Sequence, residues 1–138
     1  MNAGPVLLDT AYVQALLNKA DQHHARAMAL FPTLRGAEKW ITEAVLIEIG
    51  DGMCAIGRLA AARFIRRCYE TPETRIIPLS TPLLLAALVL FEARPDKFWS
   101  LTDCISFVVM RDHGLTAALT ADRHFVQAGF RALLLEEP

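Results

Sequence analysis

The sequence predicts an α/β fold in which a mainly parallel, five-stranded sheet is covered by helices. Short apolar runs that suit buried strands alternate along the chain with longer segments whose apolar residues recur at helical spacing. Such alternation is typical of domains built on a parallel sheet. No repeat, linker or low-complexity stretch interrupts the pattern, and 138 residues can form one hydrophobic core. We therefore expect a single domain over residues 1–138.

Five short apolar segments are predicted to be strands, because each ends at residues that turn the chain or begin a helix. They cover residues 6–8, 40–41, 75–79, 117–120 and 132–135. Helical segments connect each strand to the next. Among these segments, residues 23–34 and 58–69 are expected to form one helix each, the first ended by Gly36.

Two helices in the first half of the chain follow a threonine that can cap an N-terminus. Thr10 is expected to cap the helix that ends at Leu17. Thr42 is expected to cap a helix that runs to about Gly50 and is broken at Gly52, since glycine disfavours a helix interior.

The segment at 81–91 is predicted to be a helix with Thr81 as its cap and Pro82 in its first turn. Its residues are apolar on every side before Glu92, so the helix is either buried all round or in contact with another chain. The nine consecutive apolar residues are far fewer than the roughly 20 needed to cross a bilayer. The N-terminus also lacks a basic leader, and we expect a soluble, cytoplasmic protein with no membrane partner.

Two acidic residues are placed at predicted helix starts in the second half of the chain. Ser100 and Asp103 have the S-x-x-D spacing of a capping box, and the helix that follows should end near Gly114. Asp122 opens a short helix that ends at Gly129. Each acid could therefore serve only to stabilise a helix N-terminus, and that interpretation stays open.

The composition limits the chemistry that is available. A net charge of −1 argues against binding nucleic acid through a general positive field, so any such contact must be local or bridged by metal. Cys54, Cys68 and Cys104 have no metal-binding spacing and are expected to be small core residues in a reducing compartment.

Four acidic residues form the candidate site. Asp9 and Asp122 follow predicted strands, and Asp103 opens a helix after a loop. In a parallel sheet the carboxyl ends of the strands and the starts of the following helices meet at one edge, so these acids can converge there. Glu48 lies among apolar neighbours, where an unpaired carboxylate is costly, and we expect a cation opposite it.

Several carboxylates brought together repel one another unless they share protons or bind a cation. Ligation by oxygen alone suits Mg²⁺ or Mn²⁺, which usually retain waters and bridge to phosphates. This chemistry fits hydrolysis of a phosphodiester by a metal-activated water, with no Ser, Cys or His nucleophile.

Four segments containing these acids resemble the motifs of the PIN domain, the nuclease fold typical of bacterial VapC toxins. LLDTAYVQALLN is similar to the first motif and TEAVLIEIGD to the second, whose acids match Asp9 and Glu48. SLTDCISFVVM is similar to the third, with its aspartate at Asp103, and ALTADRHFVQAGF to the last, with Asp122 and the nearby hydroxyl of Thr120. The resemblance covers nearly the whole chain.

The resemblance implies a three-layer α/β/α sandwich and Mg²⁺- or Mn²⁺-dependent endoribonuclease activity. It also implies a homodimer and inhibition by a cognate antitoxin. Asp9, Glu48 and Asp103 would hold the principal ion, with Asp122 assisting there or at a second ion, and Thr10, Ser100 and Thr120 would be auxiliary. A non-cleaving module that binds RNA or protein is the alternative, and a phosphotransfer receiver is a weaker one because no lysine follows a late strand.

Other polar and aromatic residues are interpreted structurally. The four histidines lack zinc-site spacing, so none is assigned to metal. The arginines of helix 58–69 are expected to be solvated, although they could bind phosphates. Phe98 and Trp99 are expected to pack their loop, although aromatic residues can stack on bases.

Overall fold

The structure is a computed structural model that describes residues 4–137. One sheet is formed by strands β1 (Val6–Leu8), β2 (Lys39–Thr42), β3 (Thr74–Ile77), β4 (Ala117–Leu119) and β5 (Arg131–Ala132). The strand order is β3-β2-β1-β4-β5, and every neighbouring pair is parallel. The predicted five-stranded sheet is therefore confirmed.

Within residues 4–137, seven α-helices connect the strands: α1 (Thr10–Leu17), α2 (His24–Leu30), α3 (Glu43–Met53), α4 (Arg58–Glu70), α5 (Thr81–Ala93), α6 (Leu101–His113) and α7 (Arg123–Gln127). Two single-turn 3₁₀ helices, Phe31–Leu34 and Leu133–Leu135, complete the described residues. No helix in the range 4–137 is both long and apolar enough to cross a bilayer.

The helices form one layer on each face of the sheet. Successive strand residues point to opposite faces, so apolar residues along a strand supply side chains to a core on each side. Val6 and Leu8 pack against a core that includes side chains from α1, α2, α3 and α4. Leu7, between them, faces a second core built mainly from α6, with Ala87 of α5 and Phe125 of α7. The predicted three-layer α/β/α sandwich is confirmed.

The strand order reverses beside β1. The chain moves from β1 to β2 and β3 on one side, and then returns across the sheet to place β4 and β5 on the other. Ligand-binding crevices of open parallel sheets form at the carboxyl ends of the strands where the order reverses. In this chain that position is the end of β1 and β4, which Asp9 and Thr120 follow directly.

Several predicted helix boundaries are wrong. Asp9, not Thr10, is the N-cap residue of α1, and Ser80, not Thr81, caps α5 by accepting a hydrogen bond from the Leu83 amide. Gly52 does not break α3, which continues to Met53. A Cβ at Gly52 would collide with the terminal amide of Gln14, so a larger residue at this position would displace that flexible side chain.

Other predicted segments are shorter than expected because proline or a turn ends them. The helix predicted over 23–34 ends at Leu30 and tightens into a 3₁₀ turn, since Pro32 cannot donate a helical hydrogen bond. Strand β3 stops at Ile77, before Pro78. The last strand is only Arg131–Ala132, and the remaining residues of the predicted 132–135 strand form a 3₁₀ turn.

The remaining predictions about the fold have mixed outcomes. The caps of Thr42 and of the Ser100–Asp103 box are confirmed, and α6 ends at Gly114 in the left-handed conformation. Cys68 and Cys104 are buried, but Cys54 is exposed, so the prediction of three core cysteines is wrong for Cys54.

Candidate active site

All four predicted acids line one open cleft at the carboxyl edge of the sheet. The cleft has a volume of about 610 Å³. Its lining consists of Asp9, Thr10, Ala11, Gln14, Glu48, Asp51, Gly52, Phe98, Ser100, Asp103, Asp122 and His124. Of the predicted auxiliary residues, Thr10 and Ser100 contribute to this surface, whereas Thr120 is fully buried beneath it.

Asp9 lies at the base of the cleft, where its backbone amide still bonds to the Leu119 carbonyl as an extension of the β1–β4 ladder. Its side chain is 5% exposed and accepts a hydrogen bond at Oδ2 from the Thr120 hydroxyl, at 2.8 Å. Burial raises the pKa of Asp9 to about 7, against that hydrogen bond, and the charges of Asp103 and Asp122 raise it further. No cationic side chain of residues 4–137 is among the causes of this shift, and none forms an ion pair with Asp9.

Asp103 is fixed by the first turn of α6. The Ser100 hydroxyl accepts from the Asp103 amide at 3.0 Å, and the Ser100 amide donates to Asp103 Oδ2 at 3.2 Å. His124 Nδ1 lies 3.1 Å from the same oxygen. Burial raises the pKa of Asp103, and the hydrogen bonds from His124 and Ser100 partly offset that rise.

Asp122 caps α7 and is tied to β4 through its neighbours. Its Oδ1 accepts from the His124 amide at 2.8 Å, and its own amide donates to the Thr120 hydroxyl oxygen at 3.0 Å. Thr120 thus contacts both Asp9 and Asp122. Asp103 and Asp122 do stabilise helix starts, which the sequence analysis left open as their only role. Both residues also line the cleft.

Glu48 reaches the cleft from the middle of α3, although its sequence neighbours are apolar. It is half-buried, and its Oε1 accepts a hydrogen bond from the Thr10 hydroxyl. No ion pair within residues 4–137 includes Glu48. The hydroxyl of Thr10, predicted to be a helix cap, is instead committed to this carboxylate.

The four carboxylates share one bonding pattern. In each of them, the hydrogen bonds made within residues 4–137 fall on a single oxygen: Asp9 Oδ2, Glu48 Oε1, Asp103 Oδ2 and Asp122 Oδ1. The second oxygen of each acid is not buried without a partner, because the side-chain atoms of residues 4–137 in that state belong to other residues. Each acid therefore has one oxygen held by the protein and one left for a ligand in the cleft.

Sequence reasoning missed three polar residues of the cleft. His124 was set aside with the other histidines, yet its ring nitrogen and the carboxylates of Asp103 and Asp122 have potential ligand atoms within 4.8 Å of one another. Gln14 and Asp51 also line the cleft. The spacing of Asp51 three residues after Glu48 on one helix could have identified it.

The prediction that Phe98 packs its loop is wrong, because its side chain is 92% exposed at the cleft. Trp99 does pack, with its ring against Phe107 and its Nε1 donating to the Gln127 side chain at 3.1 Å. The arginines of α4, at positions 58, 63, 66 and 67, are exposed.

Comparison with solved structures identifies the fold. VapC20 from Mycobacterium tuberculosis, described as a toxin that cleaves the sarcin-ricin loop, superimposes with a TM-score of 0.80 at 24% sequence identity, covering 91% of this chain and 95% of VapC20. The chain has a VapC-like, PIN-type fold. FitAcB from Neisseria gonorrhoeae shares the VapC-like fold with a TM-score of 0.64 at 18% identity, over 92% of this chain and 94% of the FitAcB chain.

The VapC-like fold confirms the resemblance predicted from the four acidic motifs. No family model and no curated protein sequence matches the chain. The motifs can be recognised in the sequence because each acid has a fixed position relative to a local pattern. It lies at the end of an apolar strand or on a helix that faces the same edge of the sheet.

Proposed function

We propose that the protein is a metal-dependent endoribonuclease that hydrolyses RNA phosphodiester bonds, acting as the toxin of a toxin–antitoxin pair. The observation that carries this proposal is the set of four carboxylates around one cleft, each with one oxygen held and one free. Oxygen ligands of this kind suit Mg²⁺ or Mn²⁺. The VapC-like fold and the description of VapC20 as an RNA-cleaving toxin support the same assignment.

The residues fit a divalent cation for a further reason. Asp9 is buried with a pKa of about 7, so ionising it in the protein alone is unfavourable, and a bound cation would reverse that balance. Asp9, Glu48 and Asp103 would hold the ion, and Asp122 would assist there or at a second ion. A bound ion supplies charge neutralisation at the phosphate and a water of lowered pKa for in-line attack.

The protein groups around the cleft hold these acids in place. The hydroxyls of Thr120 and Thr10 donate to Asp9 and Glu48, and the Ser100 amide donates to Asp103. Donors that fix a carboxylate reduce the reorganisation needed when an ion and a phosphate arrive. We therefore assign the three auxiliary residues to positioning the acids.

The decisive experiment is cleavage of end-labelled RNA by the purified protein, freed of any partner. The substrates would include a sarcin-ricin hairpin and several unrelated structured RNAs. We expect cleavage with Mn²⁺ or Mg²⁺, none with EDTA, and recovery when metal is restored. Cleavage that persists in EDTA would refute metal dependence, and a folded, metal-binding protein that cuts no RNA would favour the non-cleaving module.

Phe98 is expected to contact an unpaired base of the substrate, because a phenylalanine exposed at an acidic cleft gains by stacking. Stacking of a base on an aromatic ring contributes about 1–3 kcal/mol. The Phe98→Ala variant should raise KM by about tenfold with little change in kcat, whereas Phe98→Trp should keep the wild-type KM. Equal losses in both variants would show that Phe98 does not act by stacking.

A homodimer formed through α5 is part of the proposal. Leu84, Leu85, Leu88, Val89 and Phe91 are exposed, and Ala87 is the buried residue of this helix. Of the two environments predicted for this segment, complete burial is wrong, and contact with another chain fits an apolar surface of this kind.

The dimer prediction is tested by placing charge on that surface. The double variant Leu85→Glu and Val89→Glu should be monomeric by light scattering coupled to size exclusion, because two carboxylates cannot be desolvated at an apolar interface. Leu59→Glu, at an exposed leucine of α4, is the matched control and should remain dimeric. A wild-type protein that is monomeric at tens of micromolar would contradict the prediction.

The remaining expected partner is an antitoxin. This part of the proposal rests on the resemblance of the four motifs and on the toxin description of VapC20. Co-expression with the protein encoded beside it, followed by the RNA cleavage assay, tests it directly: a cognate antitoxin should form a stable complex and suppress cleavage.

A further inference from the structure

We infer that His124 is a positioning residue that joins Asp103 and Asp122 through its Nδ1 proton, and that it is not itself a ligand of the metal. This inference rests on the proposed function, because it concerns how the acids of that site are held. Three potential ligand atoms within 4.8 Å would also allow His124 to bind an ion directly, so the two roles must be separated by the contacts of the imidazole.

The imidazole contacts the oxygens that the protein already holds. His124 Nδ1 is 3.1 Å from Asp103 Oδ2, which also accepts from the Ser100 amide. The same nitrogen is 3.3 Å from Asp122 Oδ1, which also accepts from the His124 amide. The ring thus lies on the protein side of both carboxylates and leaves Asp103 Oδ1 and Asp122 Oδ2 free for the cleft.

These contacts assign the tautomer. Ionised carboxylates only accept hydrogen bonds, so a nitrogen placed between two of them must carry the proton. Nδ1 in this tautomer has no lone pair for a metal ion, so ligation through the atom that lies between the two acids is excluded. The hydrogen-bond pattern therefore favours His124 as a donor to both acids.

The N–H of His124 reduces the repulsion between the carboxylates of Asp103 and Asp122. Asp103 is fixed on α6, whereas Asp122 caps the short helix α7, and an oxygen of each carboxylate lies within 3.3 Å of the same nitrogen, so the two charges are close enough to repel each other. A single N–H shared by both carboxylates offsets part of their repulsion and ties one helix to the other. Without it, we expect Asp122 to move away from Asp103 and the ion site to lose its fourth acid.

The test compares two substitutions in metal-binding assays on the RNA-free protein. The amide nitrogen of His124→Asn can take the position of Nδ1 and donate to the same carboxylates, whereas His124→Ala cannot. Loss of an outer-shell donor typically weakens metal affinity by about 10–100-fold. We expect a loss of that size in His124→Ala and near wild-type Mn²⁺ affinity in His124→Asn, measured by calorimetry and by the EPR signal of free Mn²⁺.

A spectroscopic readout separates the two roles. Pulsed EPR of the wild-type Mn²⁺ complex should show no directly coordinated nitrogen. A coordinated-nitrogen coupling that both substitutions remove, together with equal affinity losses, would overturn the inference in favour of a ligand role. The control is His23→Ala, at a histidine outside the cleft lining, which should bind Mn²⁺ normally.

Failure of the inference is distinguishable from failure of the proposed function. Mn²⁺ binding that neither His124 variant weakens would overturn the positioning role alone, whether or not RNA is cleaved. A wild-type protein that binds no Mn²⁺ would overturn both.

Discussion

The Asp9→Asn variant is expected to lose RNA cleavage by about a thousandfold, equivalent to about 4 kcal/mol of transition-state stabilisation, because on the proposed function it removes a metal ligand. It should also fold at least as stably as the wild type. Asp9 is buried near two other acids, and an amide at this position has no charge to desolvate. Its oxygen can still accept the hydrogen bond from Thr120.

Initial rates with Mn²⁺ and urea unfolding in EDTA measure the two effects. Asp51→Asn provides the matched control, since it removes a carboxylate from an exposed position on the same cleft and should change the rate only a few-fold. Retention of more than a tenth of the activity in Asp9→Asn would contradict a ligand role. Marked destabilisation of that variant would show that the carboxylate is structural.

The second large effect is a loss of stability with rising pH in the absence of metal. The folded protein keeps the Asp9 proton up to a pKa of about 7, whereas the unfolded chain releases it near the ordinary value of 3.8. The contribution of Asp9 to stability is therefore complete below pH 3.8 and is lost as the pH rises through 7. Its size is on the order of 4 kcal/mol, and the raised pKa of Asp103 acts in the same direction.

Urea unfolding at several pH values between 4.5 and 7.5, in EDTA, tests this dependence against Asp9→Asn. The comparison removes the titration of Asp9 together with its repulsion of Asp103 and Asp122, while the more distant groups titrate alike in both proteins, so the difference in unfolding free energy should grow with pH. Mn²⁺ at pH 7.5 should stabilise the wild type more than the variant. Parallel stability curves for the two proteins would contradict the raised pKa.

The sheet and the four acids could be predicted from the sequence because local rules determine them. Buried parallel strands are short apolar runs, and Asp9 and Asp122 follow two of them directly. The capping box of Ser100 and Asp103 is a local pattern, and it formed as predicted. Glu48 was recognisable as an acid among apolar neighbours, which is unusual unless a site requires it.

The side-chain partners of these acids could not be predicted, because tertiary approach decides them. Thr10 has the residue type of a cap, but the closeness of α3 turns its hydroxyl to Glu48. His124 gains its role only because α7 packs beside the start of α6. Gly52 has the residue type of a helix breaker, but it lies inside α3. The Gln14 side chain occupies the position that a Cβ at Gly52 would take, and this contact depends on how α1 and α3 cross.

The sequence alone also could not predict that most of α5 is exposed. A run of apolar residues on every side of a helix is compatible with a buried interior or with a subunit interface, and only the packing of α5 along α6 distinguishes them. In the structure, α6 is the buried helix of this layer, with eight buried residues against one in α5.

Three of the acids are placed at helix starts: Asp9 before α1, Asp103 in the first turn of α6 and Asp122 before α7. The positive end of each helix dipole partly compensates these charges before any ion arrives. This compensation is incomplete, because the raised pKa of Asp9 means that the metal-free protein loses stability as the pH rises. On the proposed function, one Mg²⁺ or Mn²⁺ ion would therefore do two things at neutral pH: complete the active site and stabilise the folded chain.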